Sequence, residues 1–171
     1  MKHLQRQRVI RVLALCLVLA SPIALSGGLS HAATVTAAKG SLALQYQDES
    51  GAKLQETIPV YRTGTVIYFS AGVGLEERSA KYPSFPLKLI FVAGPRAYLS
   101  QVSVTITDTQ GKVRLEVPRE QVTGPWLFVD LPPGTYDITA EGPGKAQVKE
   151  RVTISATEDK TVYMRWKGEI S

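Results

Sequence analysis

The chain reads as an all-β protein: an antiparallel β-sandwich of about seven to nine strands with one short helix at about 75–82. Three observations carry this reading. Short runs rich in β-branched and aromatic residues alternate apolar with polar side chains, the period-two signature of a half-buried strand. Turn residues separate these runs at intervals of about ten residues, as in sandwiches and barrels. Strand–helix–strand spacing is missing, which argues against a parallel α/β sheet.

The elements follow in order. Residues 33–40 are small and polar and read as a flexible leader ahead of a single domain at 41–171. From Ser41, Leu42, Leu44 and Tyr46 share one face, and Asp48-Glu49-Ser50-Gly51 turns the chain into a second strand through Ile58 and Val60. Thr65 to Phe69 is a β-branched and aromatic run ending at Ser70-Ala71-Gly72-Val73-Gly74. Leu75 to Tyr82 is rich in helix formers, with Leu75 and Tyr82 seven apart on one face and Pro83 as the stop. Beyond it, strands are expected at 87–92, 102–107, 113–117, 126–129, 136–140, 148–154 and 161–166, with Gly- and Pro-containing turns between most of them.

Residues 1–32 have the pattern of a signal peptide. Lys2, Arg6, Arg8 and Arg11 precede an apolar run from Val12 to Leu25, and Ser30-His31-Ala32 offers small residues at −3 and −1 for cleavage before Ala33. The apolar run is shorter than the roughly 20 residues of a membrane anchor. Cys16 lies inside it behind Leu15, which does not suit lipidation. The expected location is therefore the periplasm or the exterior. Cleavage leaves 16 basic against 15 acidic residues, so the net charge of +5 belongs mostly to the signal and nucleic acid is not an expected partner.

Cleavage also removes His3, His31 and Cys16, the only histidines and the only cysteine. What remains has no imidazole for acid–base work near neutral pH, no thiolate, and no nitrogen or sulfur ligand for zinc. Neither a metal nor any other cofactor is expected. Asparagine is absent from the whole chain, so no N-glycosylation acceptor exists.

Residues 98–154 carry a set of pieces found together elsewhere: Val102-Ser103-Val104-Thr105-Ile106-Thr107-Asp108, Gly111-Lys112-Val113, Phe128-Val129-Asp130-Leu131-Pro132-Pro133-Gly134-Thr135-Tyr136, and Ala140-Glu141-Gly142. This stretch resembles the carboxypeptidase regulatory-like domain, a transthyretin-like (prealbumin-like, Ig-like) sandwich. The whole chain looks like small exported proteobacterial proteins in which a Gly-rich segment followed by acidic residues precedes that module. The resemblance implies a structural, non-catalytic domain. Transthyretin-like hydrolases use histidines and end in Tyr-Arg-Gly-Ser, and this chain has neither feature after cleavage. Pro132 and Pro133 fix φ for a turn, Gly134 is expected at positive φ, and Tyr136 is expected on the core face with its hydroxyl reaching a loop carbonyl.

Candidate binding residues are few. Gly72, Gly74, Glu76, Glu77 and Arg78 form a glycine-flanked helix start whose amides suit an anion, although acids there also complement the helix dipole. Trp126, Phe128 and Trp166 suit an aromatic platform or core filling, and Trp126, beside Gly124-Pro125, is the best placed of the three. The function expected is a non-enzymatic periplasmic interaction or accessory domain that takes a protein or peptide partner at strand edges or loops. A small-molecule or glycan-binding module using Trp126 is the alternative, and a hydrolase built from carboxylates alone comes third.

Overall fold

A computed structural model describes residues 33–48, 50–95 and 97–167. The signal peptide expected at 1–32, with its cleavage position, lies outside them. Among the described residues there are thirteen strands, several of two to five residues, which is more than the seven to nine expected. They make three sheets.

The first sheet holds β1 (Thr34–Ala38), β2 (Ser41–Gln47) and β3 (Lys53–Pro59) in the order β1-β2-β3. The leader expected at 33–40 is thus corrected to a strand. Thr34, Val35 and Thr36 suit a pleated surface, Gly40 at φ 74 helps close the Lys39-Gly40 turn, and β1 pairs with β2 from Thr34↔Gln45 to Ala38↔Ser41.

The second sheet holds β4 (Tyr61–Thr63), β5 (Val66–Ala71), β6 (Leu87–Ala93), β7 (Ala97–Tyr98), β10 (Trp126–Asp130) and β13 (Lys160–Trp166), ordered β13-β6-β10-β5-β4 with β7 on the end of β6. The last strand runs parallel to β6, a departure from the purely antiparallel expectation. The third sheet is β12 (Gln147–Ile154), β11 (Gly134–Glu141), β8 (Ser103–Asp108) and β9 (Val113–Val117), in that order and antiparallel throughout.

Alternation along the second sheet explains the layering. Val66 and Tyr68, Leu87, Leu89 and Phe91, and Leu127 and Val129 enter one core with Val104, Ile106, Leu115, Tyr136 and Ile138 of the third sheet. The opposite face offers Phe69, Ala71 and Phe128 to Leu42, Leu44 and Ile58 of the first sheet. Strands buried on both faces read as near-continuous apolar runs, and β5 and β10 do so. The second sheet is the middle layer of three.

The helix is shorter than expected. α1 spans Gly74–Ser79, and Ala80 has already turned to extended backbone (ψ 144°), well before Pro83. Leu75 is 76 % exposed, whereas Tyr82 packs against the core of the first two sheets, so the two do not share a buried face.

Two turns are built alike. Asp108 Oδ1 accepts the amides of Gln110 (3.0 Å) and Lys112 (2.9 Å), with Gly111 at φ 78. Asp48 Oδ1 accepts those of Ser50 and Ala52 (each 2.9 Å), with Gly51 at φ 82. These side-chain-to-backbone bonds are what Asp offers a turn.

Tyr136 is 5 % exposed and in phase with buried Ile138 and Ala140, and its hydroxyl donates to the Pro132 carbonyl at 2.9 Å. Gly134 does not take the positive φ expected of it; it opens β11 as extended backbone. Its small size is used differently, because a Cβ there would lie 3.3 Å from the Tyr136 hydroxyl. The tightest glycine is Gly124, where a Cβ would fall 2.3 Å from the Ala71 carbonyl oxygen.

In urea denaturation, Tyr136→Ala is expected to cost about 3–5 kcal/mol, and Tyr136→Phe about 1 kcal/mol through the lost hydrogen bond. Gly124→Ala is expected to cost about 1–3 kcal/mol by forcing β5 and β10 apart. A neutral Gly124→Ala would show that the two strands are not in this contact.

Candidate functional site

The glycine-flanked helix start is occupied by its own side chains. The Glu77 carboxylate accepts the amides of Gly72 and Val73 (2.9 Å for Val73), and Arg78 Nε donates to the Gly72 carbonyl at 2.8 Å. Arg78 also lies over the Tyr98 ring, 5.1 Å from its centroid. Gly72 (φ 97) and Gly74 (φ 76) do need positive φ. Gly72 has a second reason to lack a side chain, since a Cβ would sit 2.9 Å from the Trp126 ring. Glu77 and Arg78 therefore tie the loop down, while Glu76 stands on the surface of a six-residue helix. Burial raises the Glu77 carboxyl above its ordinary range, against the two amides that lower it.

The aromatic trio divides as well. Trp166 belongs to the core between the second and third sheets, with its indole N–H donating to the Ala146 carbonyl at 2.6 Å. Phe128 stacks on Phe69 with centroids 4.6 Å apart and planes 9° from parallel. Trp126 remains half-buried, edge-on to Phe128 at 6.4 Å.

Trp126 and Phe128 line a groove of about 340 Å³ beside the 78–85 segment, together with Tyr82, Phe85 and Lys88. Several elements build it. Gly124 and Pro125 bring the chain in against Ala71, and β10 then sets Trp126 and Phe128 on its outer face. On the neighbouring strand β6, Lys88 pairs directly with Phe128. Its ammonium lies 3.3 Å from the Trp126 ring centroid and 5.1 Å from that of Phe128. Cation–π attraction is strongest over Trp and grows when the pair is desolvated. Burial is the cause that lowers the Lys88 pKa, with no carboxylate offsetting it.

Two buried polar atoms of groove residues, Tyr82 Oη and Trp126 Nε1, have no hydrogen-bond partner among the described residues. Such groups each cost about 1–3 kcal/mol and are uncommon in native proteins. Arg78, Lys81 and Lys160 also line the groove, and its carboxylate, Asp159, accepts the Ser84 hydroxyl. Of the residues singled out by sequence, Trp126, Phe128 and Arg78 reach this groove; Gly72 abuts it through Trp126, and Gly74, Glu76, Glu77 and Trp166 do not line it. Lys88, Tyr82 and Phe85 carry no sequence signal that marks them as groove residues. Pro132, Pro133, Gly134 and Tyr136 lie in the turn before β11 and at its start.

Among the described residues, no three His, Cys, Asp or Glu side chains gather as metal ligands, and no helix is long and apolar enough to cross a membrane. Comparison with protein-family models, curated proteins and solved structures finds no match to this chain.

Glu77→Ala is expected to lower stability by about 1–2 kcal/mol, since it strands two amides at the loop. Glu77→Gln, which keeps an acceptor oxygen, should recover most of that. Glu76→Ala should change stability by about a few tenths of a kcal/mol, the size of a surface dipole contribution. Because the folded-state pKa of Glu77 is raised, its contribution is present below the ordinary carboxylate range and declines as pH rises through the folded value. Chemical denaturation of the three variants at pH 4 and pH 7 tests both points.

Proposed function

We propose that this is an exported, non-catalytic binding domain of the periplasm, and that its binding site is the groove of Tyr82, Phe85, Lys88, Trp126 and Phe128. The observation that carries the reading is the aromatic lining together with two unpartnered polar atoms, since ligand sites are concave, largely apolar and furnished with a few polar groups. The absence of histidine and cysteine beyond residue 32 supports a binding role over catalysis. The resemblance of residues 98–154 to the carboxypeptidase regulatory-like domain points the same way. Export is favoured by the charge and apolar pattern of residues 1–32, and β1 begins at Thr34, so cleavage before Ala33 leaves the sheets whole.

A second reading, strand addition by a peptide, is favoured by one observation. The outer strands β3, β12 and β13 carry charged residues, which discourage edge pairing. β1, Thr34–Ala38, carries none, and among the described residues it pairs on one side only.

The test is an NMR screen of the ¹⁵N-labelled protein against a panel of neutral and charged mono- and bicyclic compounds. Amide shifts clustered at Tyr82, Lys88 and Trp126–Phe128 are expected. Shifts confined to other surfaces, or none at millimolar ligand, would overturn the groove as the binding site.

A further inference from the structure

The polar equipment of the groove is one-sided. Lys88 and the Trp126 indole can only donate hydrogen bonds, and the Tyr82 hydroxyl has a proton to donate. The charges are one-sided too: Arg78, Lys81, Lys88 and Lys160 line the groove against Asp159, which already accepts from Ser84. Arg78 is partly engaged by the Gly72 carbonyl and the Tyr98 ring. Lys88 has no ion-pair partner among the described residues and is held against two aromatic rings.

Resting on the groove reading above, we infer that the ligand is a small organic monocarboxylate with a flat or acyl apolar body, its carboxylate on the Lys88 ammonium and its body along the Trp126, Phe128 and Phe85 rings. The chemistry selects this class in two steps. Donors without matching acceptors call for a ligand rich in acceptors, which a carboxylate is, and which a cation or a donor-rich amine is not. The ring-lined wall calls for an apolar body, since desolvating a bare inorganic anion there would return little. Lys88 is the cation held against the rings, whereas Lys81 and Lys160 are exposed and Arg78 is engaged elsewhere. The ring-lined part of the groove therefore pairs one negative charge, and a dianionic phosphate would bring a second into the apolar lining. Both unpartnered hydrogens are enclosed, so a small shift of the Trp126 or Tyr82 ring on binding would let the carboxylate take one of them, removing a cost that the unliganded protein carries.

The probes are 2-naphthoate and its uncharged counterpart 2-naphthylmethanol, titrated into the purified protein by calorimetry and by NMR of the indole N–H. The expected result is that naphthoate binds at least about tenfold more tightly than the alcohol and shifts the Trp126 indole resonance. Lys88→Met, which keeps the apolar stem, should weaken naphthoate by about tenfold or more and weaken the alcohol much less, since only the carboxylate loses a charge-assisted bond. Lys88→Arg should retain naphthoate binding within a few-fold. Thermal melts of both variants check that each is folded, and the wild-type comparison of the two probes stands even if one is not. Equal affinity of wild type for both probes, or naphthoate affinity unchanged in folded Lys88→Met, would overturn the inference while leaving a groove that binds neutral ligands. Failure of every compound to reach the groove would overturn this inference and the proposed function together.

Discussion

The structure depends on a middle sheet that must be covered on both faces. β5 and β10 place apolar side chains alternately into two separate cores, with Tyr68, Leu127 and Val129 on one side and Phe69 and Phe128 on the other. Neither face could be left to water without exposing aromatic and branched side chains together, so the first and third sheets are both obligatory partners. The polar group buried within this sheet, Ser70, is satisfied by a reciprocal pair. The Gly124 amide donates to its Oγ at 2.9 Å, and its hydroxyl donates to the Gly124 carbonyl at 3.2 Å. This contact sets where β10 begins, and hence where Trp126 stands. The groove follows from the packing of the middle sheet rather than from a loop grafted onto it.

Much of this arrangement can be read from the residues. Alternation locates most of the strands, including β8 and β11, whose inward residues Val104, Ile106, Ile138 and Ala140 fall two apart as a half-buried strand requires. The turns at Asp48 and Asp108 are legible because an Asp followed three residues later by Gly supplies both the acceptor and the positive φ. The all-β class is legible for the same reasons.

What cannot be read depends on pairings between distant segments. Lys88, between Leu87 and Leu89, looks like an ordinary outward residue of an alternating strand. Only the register with β10 sets it beside Phe128 and over Trp126. By sequence pattern Tyr82 closes a helix, but the chain leaves the helix at Ala80 and the ring packs near Phe69 instead, with centroids 5.5 Å apart. Gly134 next to two prolines predicts a positive φ, yet its neighbour in space, the Tyr136 hydroxyl, explains its size. Residues 33–40 are too small and polar to signal a strand, because β1 gains its structure from pairing with β2 more than from burial of its own. Glu77 and Arg78 stand out in the sequence, but their partners are the chain's own backbone.

The middle sheet is the structural centre, and the outer layers depend on it. Native-state hydrogen exchange measures this directly, since amides that open only by global unfolding report the full stability of the protein. The slowest amides should be those of Leu127 to Val129 in β10 and their neighbours Tyr68 to Ser70 in β5, with β1 and β3 exchanging through smaller local openings. If the slowest amides lay in β8 and β11 while β10 exchanged through local opening, the four-stranded sheet would be the true centre and the middle sheet a dependent layer.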